Sequence, residues 1–235
     1  MKRIALALFS LMITFGTIAQ TTIKDANAEV RNVKNFHAIK VQTGIELVLN
    51  QGKEEAVAVS ANSVEHRNNI KTVVENGVLK IYYDTKIWKN SGNRRLKAYV
   101  SIINIDDIDI SSGATVKVDG DIRSSSLGLD VSSGGEFRGK VNVDKLVVDQ
   151  SSGATINISG TAGTLKIDGS SGSSFNGYDL AVDNATADVS SGSGVNVTVN
   201  KELNADASSG GSVHYKGNGV IKSVKTGSGG GVSKR

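Results

Sequence analysis

Six aspartates recur along the second half of the chain, and each begins the motif Asp-x-Ser-Ser-Gly. They stand 21, 19, 19, 20 and 18 residues apart: Asp109, Asp130, Asp149, Asp168, Asp188 and Asp206. Carboxylate and hydroxyl oxygens are the ligands that Ca²⁺ prefers, although the ion needs about six to eight of them. If successive copies stack at the ~4.8 Å spacing of strands, neighbouring carboxylates repel by about 0.9 kcal/mol even in water. Solvent, salt and serine hydroxyls offset that repulsion, so the sequence favours a solvated row on an outward face and leaves cation binding as the alternative.

The other residue types that carry chemistry are scattered. The three histidines, His37, His66 and His214, lie far apart and in no metal-binding spacing such as His-Glu-x-x-His. A Ser-His-Asp triad is not excluded by counting residues, but no Gly-x-Ser-x-Gly motif follows a strand and opens a helix. The sequence therefore predicts no catalytic residue, no metal ligand and no cofactor.

One irregular stretch, residues 85–95, holds the only tryptophan and four cations between two predicted strands. An aromatic ring beside cations can hold a sugar ring or an acidic partner. We therefore take Trp88, Lys89, Arg94 and Arg95 as candidate binding residues. The alternative is an ordinary hairpin loop whose tryptophan folds onto the sheet.

The elements around these residues all read as strands. Residues 36–105 show apolar residues at every second position, as in IELVL at 45–49 and VLKIYY at 78–83. An Asn76-Gly77 pair between two such runs predicts a hairpin. No convincing helical period is present, and residues 63–69 predict one short helical turn at most.

The repeat itself predicts a solenoid. Seven residues after each aspartate the residue is apolar in every copy: Val116, Phe137, Ile156, Phe175, Val195 and Val213. Apolar residues at odd offsets on both sides of each Ser-Ser-Gly bend indicate two short strands that cannot bury their apolar face alone. We therefore predict an all-β fold, a right-handed parallel β-helix of about 19 residues per rung with a less regular N-terminal β region. The glycine of each bend is expected to take a positive φ.

Bulk properties narrow the class of protein. With no cysteine the fold has no disulfide, and 25 Lys+Arg against 23 Asp+Glu beyond residue 19 give no electrostatic case for nucleic acid.

Lys2 and Arg3, a short apolar run and small residues before Gln20 predict a cleaved signal peptide, after which no transmembrane segment follows. The predicted divisions are a signal peptide at 1–19, a linker or first strand at 20–35, an N-terminal β region at 36–105, regular rungs at 106–226 and a C-terminal tail at 227–235. Gly227-Ser228-Gly229-Gly230 in that tail is either a degenerate seventh bend or the fraying end of the stack.

The stretch FHAIKVQTGIELVLNQG at 36–52, IKTVVENGVLKI at 70–81 and the repeated Ser-Ser-Gly-Ala/Gly bends resemble the DUF2807 family of auto-transporter adhesin head (GIN) domains. The resemblance covers roughly residues 36–220. It implies a right-handed parallel β-helix at the envelope or outside a bacterial cell, and it supplies no catalytic residues.

These observations lead to three hypotheses of function. The first is an exported, non-catalytic binding or structural module that presents a repetitive polar face to an extracellular glycan or protein, in the periplasm, at the cell surface or outside the cell. The second is a carbohydrate-active enzyme, a lyase or hydrolase, on the same scaffold. The third is self-association through the open ends of the β-helix.

Overall fold

A computed structural model describes residues 25–85 and 94–235. These residues form sixteen strands and one short helix, α1 (Val64–Asn69). The strands are β1 (Glu29–Arg31), β2 (Ala38–Val41), β3 (Glu46–Gln51), β4 (Ala56–Ser60), β5 (Ile70–Glu75), β6 (Val78–Tyr83), β7 (Lys97–Ile102), β8 (Asp107–Ile110), β9 (Thr115–Val131), β10 (Glu136–Gln150), β11 (Thr155–Gly169), β12 (Ser174–Val189), β13 (Gly194–Ala207), β14 (Ser212–Lys216), β15 (Val220–Thr226) and β16 (Gly231–Lys234).

The strands stack in parallel into a solenoid of about seven turns with about 19 residues per rung, which confirms the predicted β-helix. Strands β9 to β13 pair in order, each with the next. Equivalent residues of the repeat meet in this register, as in Asp149 with Asp168 and Ile156 with Phe175. The same letters therefore form columns along the solenoid axis.

The Ser-Ser-Gly bends form one continuous row of corners. In each corner the second serine and the glycine both have positive φ, for example 51° at Ser152 and 71° at Gly153. The glycine N–H of each corner donates to the carbonyl of the second serine in the next, at 3.0 to 3.2 Å from Gly113 to Gly210. Before the first of these corners, Thr43 and Gly44 make a similar turn with positive φ, and the Gly44 N–H donates to the Ser112 carbonyl at 3.0 Å. Two consecutive left-handed residues turn the chain, and the ladder of hydrogen bonds satisfies the backbone groups that the turn exposes.

Each regular rung is longer and more continuous than two short strands. Between its two predicted halves lies a third paired stretch whose apolar residues are also buried, such as Ile122, Val141 and Leu180. The register shifts fall between one corner and the next, for example at Arg138/Lys140 and Gly177/Ala181. The unequal repeat lengths are therefore absorbed there as bulges, while the corners stay aligned.

The N-terminal end departs from this order. Strands β6 and β7 form a rung below β2 and β3, and β8 and β9 form the rung above them. On the outer side of the β6–β7 rung, β4 pairs antiparallel with β7 and β5 pairs antiparallel with β6. Strand β1 in turn pairs antiparallel with β4. The predicted hairpin at Asn76-Gly77 joins β5 to β6, and both residues have positive φ. The chain crosses from β4 to β5 through α1, whose N-cap Ser63 accepts a hydrogen bond from the His66 N–H.

The C-terminal end also forms a rung. Ser228 and Gly229 repeat the corner geometry with φ of 46° and 79°. Strand β16 follows this corner and pairs with β14. Residues 227–230 thus form a seventh corner and not a fraying end.

Candidate functional site

The six repeat aspartates lie in one column on the outside of the solenoid, half-buried or exposed. Lysines stand at both ends of this aspartate column. Lys40 pairs in register with Asp109 and its ammonium contacts that carboxylate, and Lys225 pairs in register with Asp206. Within the column, Lys166 Nζ lies 2.9 Å from Asp168 Oδ2. The arrangement is that of a solvated row with local counter-charges.

The column carries electrostatic strain at its N-terminal end. Burial, followed by the carboxylates of Asp109 and Asp149, raises the pKa of Asp130 above its usual value. Residues 25–85 and 94–235 contain no group of three or more histidine, cysteine or acidic residues placed to hold a metal ion. Repulsion between carboxylates is also what a bound cation would relieve, so addition of Ca²⁺ tests the alternative directly.

We expect Asp130→Asn to stabilise the protein at pH 7. A raised pKa in the folded state means that ionisation costs more there than in the unfolded chain, so folding is disfavoured above the folded pKa. Because Asp130 is exposed and salt screens the repulsion, we expect a rise in Tm of only about 1 to 2 degrees for a domain of this size. The gain should disappear below about pH 3, where the carboxyl group is protonated in both states.

The measurement is thermal unfolding of both proteins from pH 3 to pH 8, with Asp144→Asn as the control because Asp144 is exposed and outside the column. A lower Tm for Asp130→Asn at pH 7 would contradict the interpretation. A rise in the wild-type Tm with Ca²⁺ that Asp130→Asn abolishes would establish the cation-binding alternative.

A second outward column, which we call the polar column, lies on the strand stretch that follows each corner, whereas the aspartates precede the corners. Its members pair in register from β9 to β14: Lys117, Arg138, Asn157, Asn176, Asn196 and His214. Asn176 Nδ2 donates to Asn157 Oδ1 at 3.0 Å, and Asn196 Nδ2 donates to Asn176 Oδ1 at 3.2 Å. Because each amide has two N–H donors, this ladder fixes the side chains and leaves further donors for a ligand.

The polar column ends in a shallow groove of about 570 Å³. Its seven lining residues are Tyr178, Gly194, Asn196, Ser212, His214, Lys216 and Arg235. Lys216 Nζ lies 4.3 Å from the centroid of the Tyr178 ring. Gly194 pairs in register with Ser174 on one side and Ser212 on the other, and it contributes no side chain to the groove. Burial, and then the nearby Arg235 guanidinium, lowers the pKa of His214, so the imidazole is neutral at pH 7.

The lining is cationic and aromatic, with no acidic side chain among the seven residues. Two permanent cations beside a tyrosine and an asparagine can bind an anionic group and hydrogen-bond to hydroxyls around it. This is the chemistry of binding an acidic sugar or an acidic protein segment.

The predicted loop site is only partly described. Trp88 and Lys89 lie outside the described residues. The Arg94 guanidinium carbon lies 4.8 Å from the centroid of the Tyr83 ring, and Arg95 is exposed with φ of 42°. Tyr83 ends β6 and Leu96 precedes β7, so the described residues on both sides of this stretch lie in the first rung, at the end remote from the groove.

The three histidines remain apart, as their spacing predicted. His37 Nδ1 lies 3.0 Å from Asp106 Oδ1, and His66 Nδ1 lies 2.9 Å from the Tyr83 hydroxyl. Of the three, His214 alone lines the groove, together with Tyr178, Ser212 and Lys216.

The groove was not predicted from the sequence, although part of the pattern that forms it is present in the repeat. Offsets seven and nine from each aspartate are apolar, or glycine at two positions, but offset eight holds the whole polar column. Two of the groove residues, Tyr178 and Lys216, both lie at offset ten, from Asp168 and Asp206. Arg235 is outside the repeat, and only the pairing of β16 with β14 brings it to His214 and Lys216.

The fold and these surfaces define a parallel β-solenoid with outward columns of aspartates and of other polar side chains. The chain belongs to the DUF2807 family, described as "Putative auto-transporter adhesin, head GIN domain", which matches residues 35–219. No curated relative matches the sequence. In the described part of the chain, no helix has both the length and the apolar character needed to cross a bilayer.

Solved structures share the fold. A "putative adhesin" from Bacteroides fragilis NCTC 9343 has a TM-score of 0.80 at 17% identity, covering 88% of this chain and 95% of that chain. A "putative lipid binding protein" from Parabacteroides distasonis ATCC 8503 has a TM-score of 0.65 at 18% identity, covering 90% and 98%. A "putative adhesin" from Parabacteroides merdae ATCC 43184 has a TM-score of 0.64 at 14% identity, covering 88% and 95%. The family supports an adhesin-like protein of an exported or surface type, and the neighbours show that the fold is shared. The predicted signal peptide at 1–19 lies outside the described residues.

Proposed function

We propose that the protein is an exported, non-catalytic adhesin-like module that presents the polar column and its groove to an extracellular glycan or protein. The observation that supports this most directly is the cationic, aromatic groove at the end of a hydrogen-bonded ladder of amides. Because the ladder and the paired strands hold these side chains before a ligand arrives, little conformational entropy is lost on binding. Repetition along the column lets several weak contacts add up on an extended ligand.

The charge of the groove selects the class of ligand. Lys216 and Arg235 favour uronate-containing or sulfated glycans, or an acidic protein surface, over neutral sugars. The non-catalytic part of the proposal rests on the family, described as an adhesin head domain. It needs a direct test, because a neutral His214 beside Tyr178 and two cations is a set that a lyase could use as base, acid and carboxylate-binding groups. Incubation with uronate polysaccharides should therefore produce no unsaturated product and no new reducing ends, and turnover would establish the enzyme alternative.

We expect Lys216→Ala and Arg235→Ala each to weaken binding of an acidic ligand about tenfold, the loss expected for one charge-assisted hydrogen bond. The ligand is first identified on an array of neutral, uronate and sulfated glycans and matrix proteins, and affinities are then measured by calorimetry. Lys145→Ala is the matched control, because Lys145 is exposed and distant from the groove. Equal affinity in all three variants would contradict the assignment of the groove.

The loop of residues 85–95 remains a second proposed contact. Trp88→Ala is expected to weaken binding if the ligand reaches the first rung of the solenoid. Unaltered binding would remove Trp88 and Lys89, together with Arg94 and Arg95, from the proposal without affecting the groove.

A further inference from the structure

The two ends of the solenoid differ in how they are closed. At the N-terminal end, β4 and β5 pair antiparallel with β7 and β6, α1 connects them, and Val57 and Ile70 are buried. At the C-terminal end, β15, the corner at 227–229 and β16 form the last rung, which we call the terminal rung. Ile221 and Val224 are 43% and 42% exposed, whereas Leu203 and Ala205 beneath them are 0% and 4% exposed. Among the residues that the structure describes, none is stacked on this apolar end of the core columns.

The terminal rung also has a free backbone edge. Among the described strands, β15 pairs only with β13, and β16 pairs only with β14. The opposite edges therefore present unpaired N–H and C=O groups, which are a template for another strand. A surface that is both apolar and rich in free backbone groups is suited to strand addition.

The charge of this end restricts what can dock there. Apart from the groove residues Lys216 and Arg235, residues 207–235 contain three cations and no acidic residue: Lys222, Lys225 and Lys234. Lys222 Nζ lies 3.2 Å from Glu202 Oε1 in the rung beneath. Lys225 continues the aspartate column, opposite Asp206. Two copies meeting through their terminal rungs would oppose like charges, which is destabilising for cross-strand pairs. A lipid surface would leave the free backbone groups without partners, because hydrocarbon offers no hydrogen bonds.

We propose that the terminal rung binds an extended, acidic segment of a second protein, which adds as one further strand alongside β15. In the register that this chain uses between its own rungs, the segment places apolar side chains over Ile221 and Val224 and a carboxylate over Lys225. Main-chain hydrogen bonds supply the affinity, and the carboxylate supplies selectivity for acidic partners. This docking surface is separate from the groove and does not depend on the proposed function.

A peptide from the chain itself provides the probe. Residues 124–134 have the sequence SSSLGLDVSSG, and they would set Leu129 over Val224 and Asp130 over Lys225 in the rung register. Peptide binding to the purified protein is followed by fluorescence anisotropy, and hydrogen exchange reports the amides of residues 220–226. We expect the peptide to protect those amides. We also expect Lys225→Glu to weaken binding about fivefold or more, through loss of an attractive and gain of a repulsive cross-strand pair.

Charge exchange is the decisive control. A peptide carrying Asp130→Lys should bind the Lys225→Glu protein more tightly than it binds the wild-type protein. The Lys145→Glu substitution, at an exposed lysine far from the terminal rung, should leave the affinity of the protein for both peptides unchanged. The proposal is overturned if millimolar peptide leaves residues 220–226 unprotected, or if Lys225→Glu and Lys145→Glu have equal effects. It is also overturned if the protein alone forms a dimer that Val224→Lys abolishes, or if anionic phosphatidylglycerol vesicles protect these amides and the peptide does not.

Discussion

Gly160→Ala is expected to lower the free energy of unfolding by about 3 kcal/mol or more, whereas Gly153→Ala should cost only about 1 kcal/mol. Both glycines have positive φ, 109° at Gly160 and 71° at Gly153. A Cβ at Gly160 would lie 2.0 Å from the Val141 carbonyl oxygen, in the strand to which it is paired, while a Cβ at Gly153 would meet no heavy atom within 4 Å. The backbone of β10 cannot retreat, because it is held by strands on both sides.

Urea unfolding followed by circular dichroism measures both losses against the wild type. Both substitutions place a side chain on a residue with positive φ, so both include the cost of backbone strain. Only Gly160→Ala adds the cost of a clash with the neighbouring rung, and the difference between the two losses measures that clash. Equal losses in the two variants would show that the tight stacking of β10 on β11 does not limit the residue at position 160.

Phe175→Val and Gly177→Val are each expected to destabilise the protein by about 2 kcal/mol, and the double substitution should recover much of that loss. A Cβ at Gly177 would lie 2.4 Å from Phe175 Cε1, so the ring occupies the space that a side chain at 177 would need. The next rung holds Val195 and Val197 in the same two columns, and both are buried. The double variant therefore copies a pair that the solenoid already accommodates.

A double-mutant cycle provides the measurement, and we expect a coupling energy of about 2 kcal/mol in favour of the double variant. Val195→Ala serves as a reference for a simple cavity in the same column. Additive losses would mean that the ring and the glycine do not share one space.

The aspartate column and the corners were predictable because they depend on residues close in sequence. A period near 19 residues, apolar residues at odd offsets and a glycine at each bend suffice to predict the parallel stack, and the structure places Asp109 to Asp206 in one outward row. The sequence did not indicate that the second serine of each corner also takes a positive φ, as at Ser152, because serine has no strong preference for that conformation.

The N-terminal rungs were not predictable in the same way. Strands β2 and β3 come early in the chain but lie between β6–β7 and β8–β9 in the stack. Alternating apolar residues identify each strand without saying which strand it pairs with, since all such strands offer similar edges. The choice depends on how α1 and the antiparallel strands close that end.

By itself, the sequence determined that this protein is a repetitive β-solenoid with a row of outward carboxylates, because a fixed period and an alternating pattern leave few other ways to bury the apolar positions. Only the tertiary structure decided that Tyr178, His214, Lys216 and Arg235 line one groove, and that Ile221 and Val224 of the terminal rung are exposed. The reason is that residues separated by one repeat length stack in one column, so the sequence period alone predicts the columns. The lining of a groove depends instead on which strands pair and on where the bulges fall between corners.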